Sequence, residues 1–185
     1  MTNSEYGTGA TVIHIEDEPW DYEHIVRELR AGLYLTLDDN DRASIKLSKV
    51  TPTGNYPLCW LLTWKDGETK NSLRYWFVQN LAEVDSIDQR YNTTKSTASV
   101  AYLLDVMRVD DRGMISANWG ELVKFVRSRV VDVDAQVRLY TAFEIEMDGY
   151  EFEGVKFNAP PIIQKGDPEI INFLLNFSMK HAREG

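Results

Sequence analysis

Short apolar runs that alternate with helical patterns are the feature that most restricts the fold of this sequence. Five such runs predict strands: residues 11–15, 73–78, 100–105, 136–141 and 161–164. Apolar residues spaced three and four apart predict helices between them. These helices cover a segment from Pro19 to Gly32, residues 82–91, residues 117–129 and a closing segment that starts at Asp167. Strands that alternate with helices imply an α/β fold, with a parallel sheet and helices on both faces.

The first helix has the clearest boundaries. Ile25, Val26 and Leu29 form a core-facing stripe after Pro19, a residue that favours the first turn of a helix. Gly32 is predicted to end the helix, because glycine is the usual residue just past a helix C-terminus.

Two stretches do not follow the alternation. Residues 43–50 and 58–65 predict an antiparallel strand pair, and Asp66-Gly67 is a hairpin signal. The stretch 143–160 should hold a helix, but Gly149 and Gly154 interrupt it and its helical periodicity is weak. We therefore expect only a short or distorted helix there.

Composition excludes several classes of function. The net charge of -9 and the absence of a cluster of basic residues argue against nucleic acid as a partner. A lone Cys59 fits a reducing compartment, and the scattered His14, His24 and His181 match no zinc spacing. The sequence shows neither a signal-peptide pattern nor an apolar run long enough to cross a membrane, so we expect a cytoplasmic protein.

Charged and hydroxyl side chains end four of the predicted strands. Glu16 and Asp17 follow the first strand, Asp105 ends the third, Thr141 ends the fourth and Lys165 follows the last. The carboxyl ends of parallel strands meet at one edge of a sheet, where ligands of open α/β sheets bind. We therefore expect these five side chains to lie close together.

These residue types suit phosphoryl chemistry. Three crowded carboxylates repel one another unless they share a cation, and Mg²⁺ is the hard ion that carboxylates and phosphate oxygens bind together. Lys165 would supply a positive charge to a phosphoryl oxygen, and the Thr141 hydroxyl would supply a hydrogen bond. Asp105 would then act as the nucleophile and form an aspartyl phosphate.

Four segments, in this order, resemble the receiver domain of two-component response regulators. They read VIHIEDEP, YLLDVMRVDDRG, VRLYTA and PPIIQKGDPE, and each contains one of the predicted strand ends. The resemblance implies a flavodoxin-like, doubly wound parallel sheet of five strands in the order 2-1-3-4-5. It also implies a single domain over residues 10–181, preceded by a flexible tail at residues 1–9.

The resemblance also implies a role for each site residue. Asp105 would be the phosphoacceptor, Thr141 the switch hydroxyl and Lys165 the phosphate-binding lysine. The metal, Mg²⁺, would be bound by Glu16, Asp17, Asp105 and the backbone carbonyl of Met107. Activity would be limited to self-phosphorylation and autodephosphorylation at Asp105, with a histidine kinase or phosphotransfer protein as donor. A homodimer is also compatible with the resemblance.

The distance between two site residues indicates an insertion. Asp17 and Asp105 are 88 positions apart, whereas two strand–helix units of about 30 residues per crossover motif need only about 50. Residues 33–72 account for the surplus as an inserted, hairpin-like segment. The aromatic residues in and after it would be anchors for a downstream protein partner or ordinary core of an enlarged sheet: Trp60, Trp64, Tyr75, Trp76 and Phe77.

Three departures from the receiver pattern leave other functions open. Glu16 replaces the usual Asp, Gly166 stands where a Pro usually follows the lysine, and Ile162 replaces an aromatic switch residue. The last two favour an alternative, a phosphorylation-independent pseudo-receiver that acts as a protein–protein interaction module. A phosphatase with Asp105 as a transient nucleophile is a more remote option, since Met107 occupies the position of its second acid.

Overall fold

The computed structural model describes residues 9–16, 22–51, 57–91, 99–109, 115–117, 119–142, 150–152, 154–158 and 161–182. Most of the predicted tail, residues 1–8, lies outside these ranges. The strands are β1 (Ala10–Ile15), β2 (Lys46–Lys49), β3 (Leu58–Asp66), β4 (Thr69–Val78), β5 (Val100–Leu104), β6 (Met107–Val109), β7 (Ile115–Ala117), β8 (Val137–Thr141), β9 (Glu151–Phe152), β10 (Val155–Lys156) and β11 (Ile162–Gln164). The helices are α1 (Tyr22–Thr36), α2 (Asp39–Arg42), α3 (Leu81–Tyr91), α4 (Trp119–Arg129), α5 (Val133–Gln136) and α6 (Glu169–His181).

A mostly parallel sheet of seven strands forms the centre of the molecule. Its order is β11-β8-β5-β1-β4-β3-β2. Strands β11, β8, β5, β1 and β4 run parallel to one another, while β3 is antiparallel to both β4 and β2. The predicted α/β class is therefore confirmed, but the sheet contains two more strands than the five predicted. The inserted strands lengthen the sheet because β4 offers them a free row of backbone hydrogen-bonding groups.

Helices cover both faces of this sheet, as predicted. On one face, α1 and α6 bury their apolar stripes against the strands; on the other face, α3 and α4 do so. The side chains that these helices bury are Ile25, Val26, Leu29 and Leu33 from α1, Ile170, Leu174 and Phe177 from α6, Val84 and Ile87 from α3, and Leu122, Val123, Phe125 and Val126 from α4.

The prediction that Gly32 ends the first helix is wrong. Helix α1 continues through Gly32 to Thr36. A Cβ atom at Gly32 would lie 2.6 Å from Leu175 Cδ1 of α6, so the end of the Leu175 side chain would have to move to admit one. Glycine here lets the Leu175 side chain pack closely against α1 and does not end the helix.

The hairpin that Asp66-Gly67 predicts is present between β3 and β4. Gly67 has a φ of 60°, which glycine adopts without strain. Its N–H donates to Asp41 Oδ2 at 2.7 Å, so the turn is also tied to α2. The predicted antiparallel pairing of the two inserted strands is confirmed as well, with β2 against β3.

The additional elements occupy a shorter stretch than the predicted insertion at 33–72. Residues 33–36 belong to α1 and 69–72 to β4, so α2, β2 and β3 lie within residues 39–66. All five aromatic side chains considered above as partner anchors are buried, and they therefore belong to the core of the enlarged sheet: Trp60, Trp64, Tyr75, Trp76 and Phe77. Strand β2 forms one edge of the sheet, and Lys46 and Lys49 on it are exposed.

Two short antiparallel strand pairs differ from the prediction: one stands where a helix was expected, and the other was not predicted. Where 143–160 was expected to hold a distorted helix, its described part forms the antiparallel pair β9–β10, with Gly154 at a φ of 77° in the turn. Residues 143–149, 153 and 159–160 lie outside the described ranges. Beyond β5, the unpredicted pair β6–β7 joins Met107 to Ala117.

The structure also bears on two expectations from composition. Cys59 is a buried free thiol in β3, and burial raises its pKa to about 12. Among the residues that the structure describes, no helix has both the length and the apolar character that a membrane crossing requires.

Truncation of a β3 side chain tests whether the inserted strands are part of the core. Leu62 is 2% exposed, so Leu62→Ala should lower the free energy of unfolding by about 2–5 kcal/mol, measured by urea denaturation. Leu35→Ala is the matched control, because Leu35 is 79% exposed and its truncation should change stability by less than about 0.5 kcal/mol. Equal effects of the two substitutions would show that β3 is not integral to the fold.

Candidate functional site

Backbone hydrogen bonds continue past the carboxyl ends of the parallel strands and position the main chain of the site. Each of three site residues donates its N–H to a carbonyl of the neighbouring strand. The pairs are Glu16 to Val78 at 2.9 Å, Asp105 to Ile15 at 3.0 Å and Lys165 to Thr141 at 2.9 Å. The residues that follow β1, β5 and β11 are therefore held at the same edge of the sheet.

Three predicted site side chains meet at this edge. The Lys165 ammonium contacts Glu16 Oε2 directly and lies 3.3 Å from Asp105 Oδ2. Glu16 is 1% exposed, and the side chains of Asp105 and Lys165 are 11% and 19% exposed. The predicted convergence of Glu16, Asp105 and Lys165 is thus confirmed, and Lys165 bridges the two acids.

The cluster holds two carboxyl groups and one ammonium. Burial raises the pKa of Glu16 to about 8; the hydrogen bond from Lys165 opposes the rise and the charge of Asp105 adds to it. Burial by itself lowers the pKa of Lys165, but the hydrogen bond and charge of Glu16, together with Asp105, raise it above its usual value. Burial thus favours the neutral form of Glu16, and the neighbouring acids keep the Lys165 ammonium charged.

Thr141, Met107 and Asp17 are the other residues predicted for the site, and the structure bears on each to a different extent. Thr141 is buried, and its carbonyl oxygen accepts the hydrogen bond from the Lys165 N–H, so the backbone of Thr141 is at the site. Met107 begins β6, close to Asp105 in the chain. Asp17 lies outside the described residues.

Gly166 gives the loop after Lys165 a conformation that proline cannot adopt. Its φ is 89°, whereas the proline ring fixes φ near about −65°. The Gly166 N–H lies 3.4 Å from the hydroxyl oxygen of Tyr140. The departure from the receiver pattern at this position is therefore a departure in backbone geometry as well as in sequence.

Sequence reasoning missed one buried polar residue beside the site. His14 in β1 is fully buried, its Nδ1 is 2.6 Å from the Tyr75 hydroxyl, and its Nε2 is 4.0 Å from Glu16 Oε2. Burial, together with the charge of Lys165, lowers the pKa of His14 to about 3, so the ring is neutral at neutral pH. The sequence did contain a sign that His14 lies beside the site. It stands two positions before Glu16 in an otherwise apolar strand, and alternate residues of a strand point to the same face.

The residues of this edge fit a hard divalent cation by type. Glu16 and Asp105 offer carboxyl oxygens, the ligands that Mg²⁺ prefers, and a bound cation would favour the ionised form of Glu16. Among described residues, no three His, Cys, Asp or Glu side chains form a metal-binding group. A complete ligand set would therefore need donors besides Glu16 and Asp105.

Searches of protein-family models, curated proteins and solved structures give no match to this chain.

Removal of the bridging ammonium tests whether the cluster stabilises the protein. Lys165→Met leaves the buried Glu16 and the mostly buried Asp105 without their counter-charge, and we expect a loss of about 3–5 kcal/mol in the free energy of unfolding at neutral pH. Adding Glu16→Gln to Lys165→Met should recover part of this loss, because it removes the repulsion. Urea denaturation of the single and double variants measures both effects.

Lys156→Met is the matched control for this experiment. Lys156 also pairs with a carboxylate, Glu151 at 3.3 Å, but its side chain is exposed. Its loss should change stability by about 0.5 kcal/mol or less. If Lys165→Met were equally mild, or if Glu16→Gln gave no recovery, the cluster would not be electrostatically coupled.

Proposed function

We propose that this chain is a phosphoacceptor receiver domain that takes a phosphoryl group on Asp105 with Mg²⁺ and switches a partner-binding surface. The observation that carries the proposal is the position of Lys165, which bridges Glu16 and Asp105 at the carboxyl edge of a parallel sheet. An acid after β1, a second acid after β5 and a lysine after β11, all at one edge of the sheet, are the groups that transfer to an aspartate requires.

The arrangement of the parallel strands supports the same proposal. Taken without β2 and β3, the sheet reads β4-β1-β5-β8-β11. In chain order these are the second, first, third, fourth and fifth parallel strands, which is the order expected for a flavodoxin-like receiver. In such sheets the ligand-binding crevice lies beside the first strand, where the strand order reverses. Glu16 follows that strand here.

The chemistry would use groups that the site already holds. A carboxylate oxygen of Asp105 attacks phosphorus, a P–O bond forms, and the bond from phosphorus to the donor breaks as the leaving group departs. Lys165 is close enough to Asp105 to hold a phosphoryl oxygen by its ammonium. Mg²⁺, bound by Glu16, Asp17, Asp105 and the Met107 carbonyl, would supply neutralisation of the phosphoryl charge.

Phosphorylation would act on its surroundings through the site residues. New negative charge on Asp105 would attract the Thr141 hydroxyl and Lys165, and so favour one of two conformations of the loops at this edge. The proposed donor is a histidine kinase or a phosphotransfer protein of the cytoplasm. A downstream partner, or a second copy of the chain, would read the altered surface.

A phosphorylation-independent pseudo-receiver is the second candidate, and one observation favours it. Lys165 pairs with both acids, so the cluster has an internal counter-charge without a metal. Gly166 and Ile162, which replace the usual proline and aromatic residue, also favour a module whose acids are structural. In this case the chain would act only by binding another protein.

Phosphorylation in vitro separates the two candidates. With Mg²⁺ and acetyl phosphate, the protein should gain one phosphoryl group that hydroxylamine removes, as measured by intact mass. Asp105→Asn should abolish the adduct, because it removes the nucleophile. Asp66→Asn is the matched control, since Asp66 is an exposed strand-end carboxylate outside the site and its loss should leave the yield unchanged.

Each result has a definite meaning. An adduct that needs Mg²⁺ and Asp105 supports the receiver, whereas an adduct that survives Asp105→Asn contradicts the assignment of the acceptor. No adduct, together with no Mg²⁺-dependent binding of beryllofluoride, would exclude the phosphoacceptor and leave the interaction module.

A further inference from the structure

His14 lies in a closed aromatic environment directly behind the site. Its ring meets three aromatic rings edge-on, with centroid distances of 5.9 Å to Tyr75, 5.6 Å to Phe77 and 5.5 Å to Tyr140. A histidine in such surroundings loses its contacts with water, and this is costly unless its nitrogen atoms find polar neighbours. An apolar residue would fill this position of β1 without that cost, so a specific use for the imidazole is expected.

The two ring nitrogens have different neighbours. Nδ1 lies 2.6 Å from the Tyr75 hydroxyl, which is hydrogen-bonding distance. Nε2 has no hydrogen-bond partner within the described ranges, and it faces Glu16 Oε2 at 4.0 Å. If the Tyr75 hydroxyl donates to Nδ1, the proton of the neutral ring lies on Nε2, on the side that faces the Glu16 carboxylate.

We infer that His14 is a positioning residue whose Nε2–H, fixed by the Tyr75 hydroxyl, orients the Glu16 carboxylate toward Asp105 and Lys165. The inference rests on the proposed function, in which Glu16 is a metal-binding acid. It also explains how Glu16 could be a metal ligand at a position where the receiver pattern usually has an aspartate. The longer side chain has one more rotatable bond than an aspartate, and a fixed donor on its inner side restricts that freedom.

The geometry gives His14 a role that Lys165 cannot fill. His14 and Lys165 both face the same atom, Glu16 Oε2. They do so from different parts of the chain, His14 from β1 and Lys165 from the residue after β11. In the proposed function the Lys165 ammonium turns to a phosphoryl oxygen, and its contact with Glu16 weakens. The imidazole of His14 belongs to the same strand as Glu16 and stays in place, so it keeps the carboxylate oriented during the transfer.

The tautomer of His14 can be measured without metal or phosphoryl donor. In protein with ¹⁵N-labelled histidine, nuclear magnetic resonance should show His14 as a neutral ring with its proton on Nε2, protected from exchange. Tyr75→Phe should reduce the preference for this tautomer, and Glu16→Gln should shift the Nε2–H resonance. Both substitutions nearly preserve side-chain size, and the exposed His24 is an internal reference. A proton on Nδ1, or a resonance indifferent to Glu16→Gln, would overturn the inference.

Magnesium titration tests the consequence for the site. By isothermal titration calorimetry, His14→Leu should weaken Mg²⁺ binding by about 10-fold or more, as expected for a group that orients a metal ligand. His14→Gln should weaken it less, because its amide can still present an N–H to Glu16. His24→Gln should leave the affinity unchanged. Equal losses in the Leu and Gln variants would point to packing alone and contradict a positioning role.

The two experiments separate the inference from the proposed function. If the wild-type protein binds no Mg²⁺ while the His14 resonance reports Nε2–H and responds to Glu16→Gln, the positioning of Glu16 stands and the phosphoacceptor fails. If Mg²⁺ binds tightly and His14→Leu has no effect, the site stands and the positioning role fails.

Discussion

The two-sided pairing of β1 is the constraint on which the rest of the structure depends. This strand bonds to β4 on one side and β5 on the other, and helices bury both of its faces. A parallel strand in that position is normally apolar throughout, because water reaches neither face. The chain nevertheless places His14 within it and Glu16 directly after it, both buried. Each polar group must therefore find its partner inside the protein, and the partners come from β4 and from the residue after β11. The central strand in this way determines the site as well as the sheet.

Much of the fold follows from local patterns, and the errors arise where distant residues decide the structure. Apolar runs and helical stripes predicted the parallel strands and the four long helices, because those patterns reflect burial on one face or on both. Gly32 was assigned to a helix end since the sequence does not show that Leu175, far along the chain, packs against it. The two extra strands were recognised as a pair, but their membership of the main sheet depends on hydrogen bonds with β4. The β9–β10 hairpin was missed because its strands are too short to show a period.

The candidate site was predictable in part for a similar reason. Glu16, Asp105 and Lys165 could be placed together because the ends of parallel strands share one edge, and this requires no knowledge of side-chain contacts. The direct pairing of Lys165 with both acids could not be predicted, since it depends on distances between side chains. His14 was set aside as one of three scattered histidines, although its partner Tyr75 lies 61 positions away in the neighbouring strand. A polar residue inside a strand that must be buried is the signal that would have identified it.

The edge strand β2 has a consequence for the behaviour of the protein in concentrated solution. An open sheet edge can recruit a strand from another molecule, and long apolar edges promote aggregation for this reason. Here the edge is short and has the exposed lysines Lys46 and Lys49, and the Lys49 ammonium lies 5.1 Å from the centroid of the Trp60 ring beneath it. Two copies that approached edge to edge would bring these positive charges together. The antiparallel pair that widens the sheet thus ends in a strand that discourages further growth between molecules.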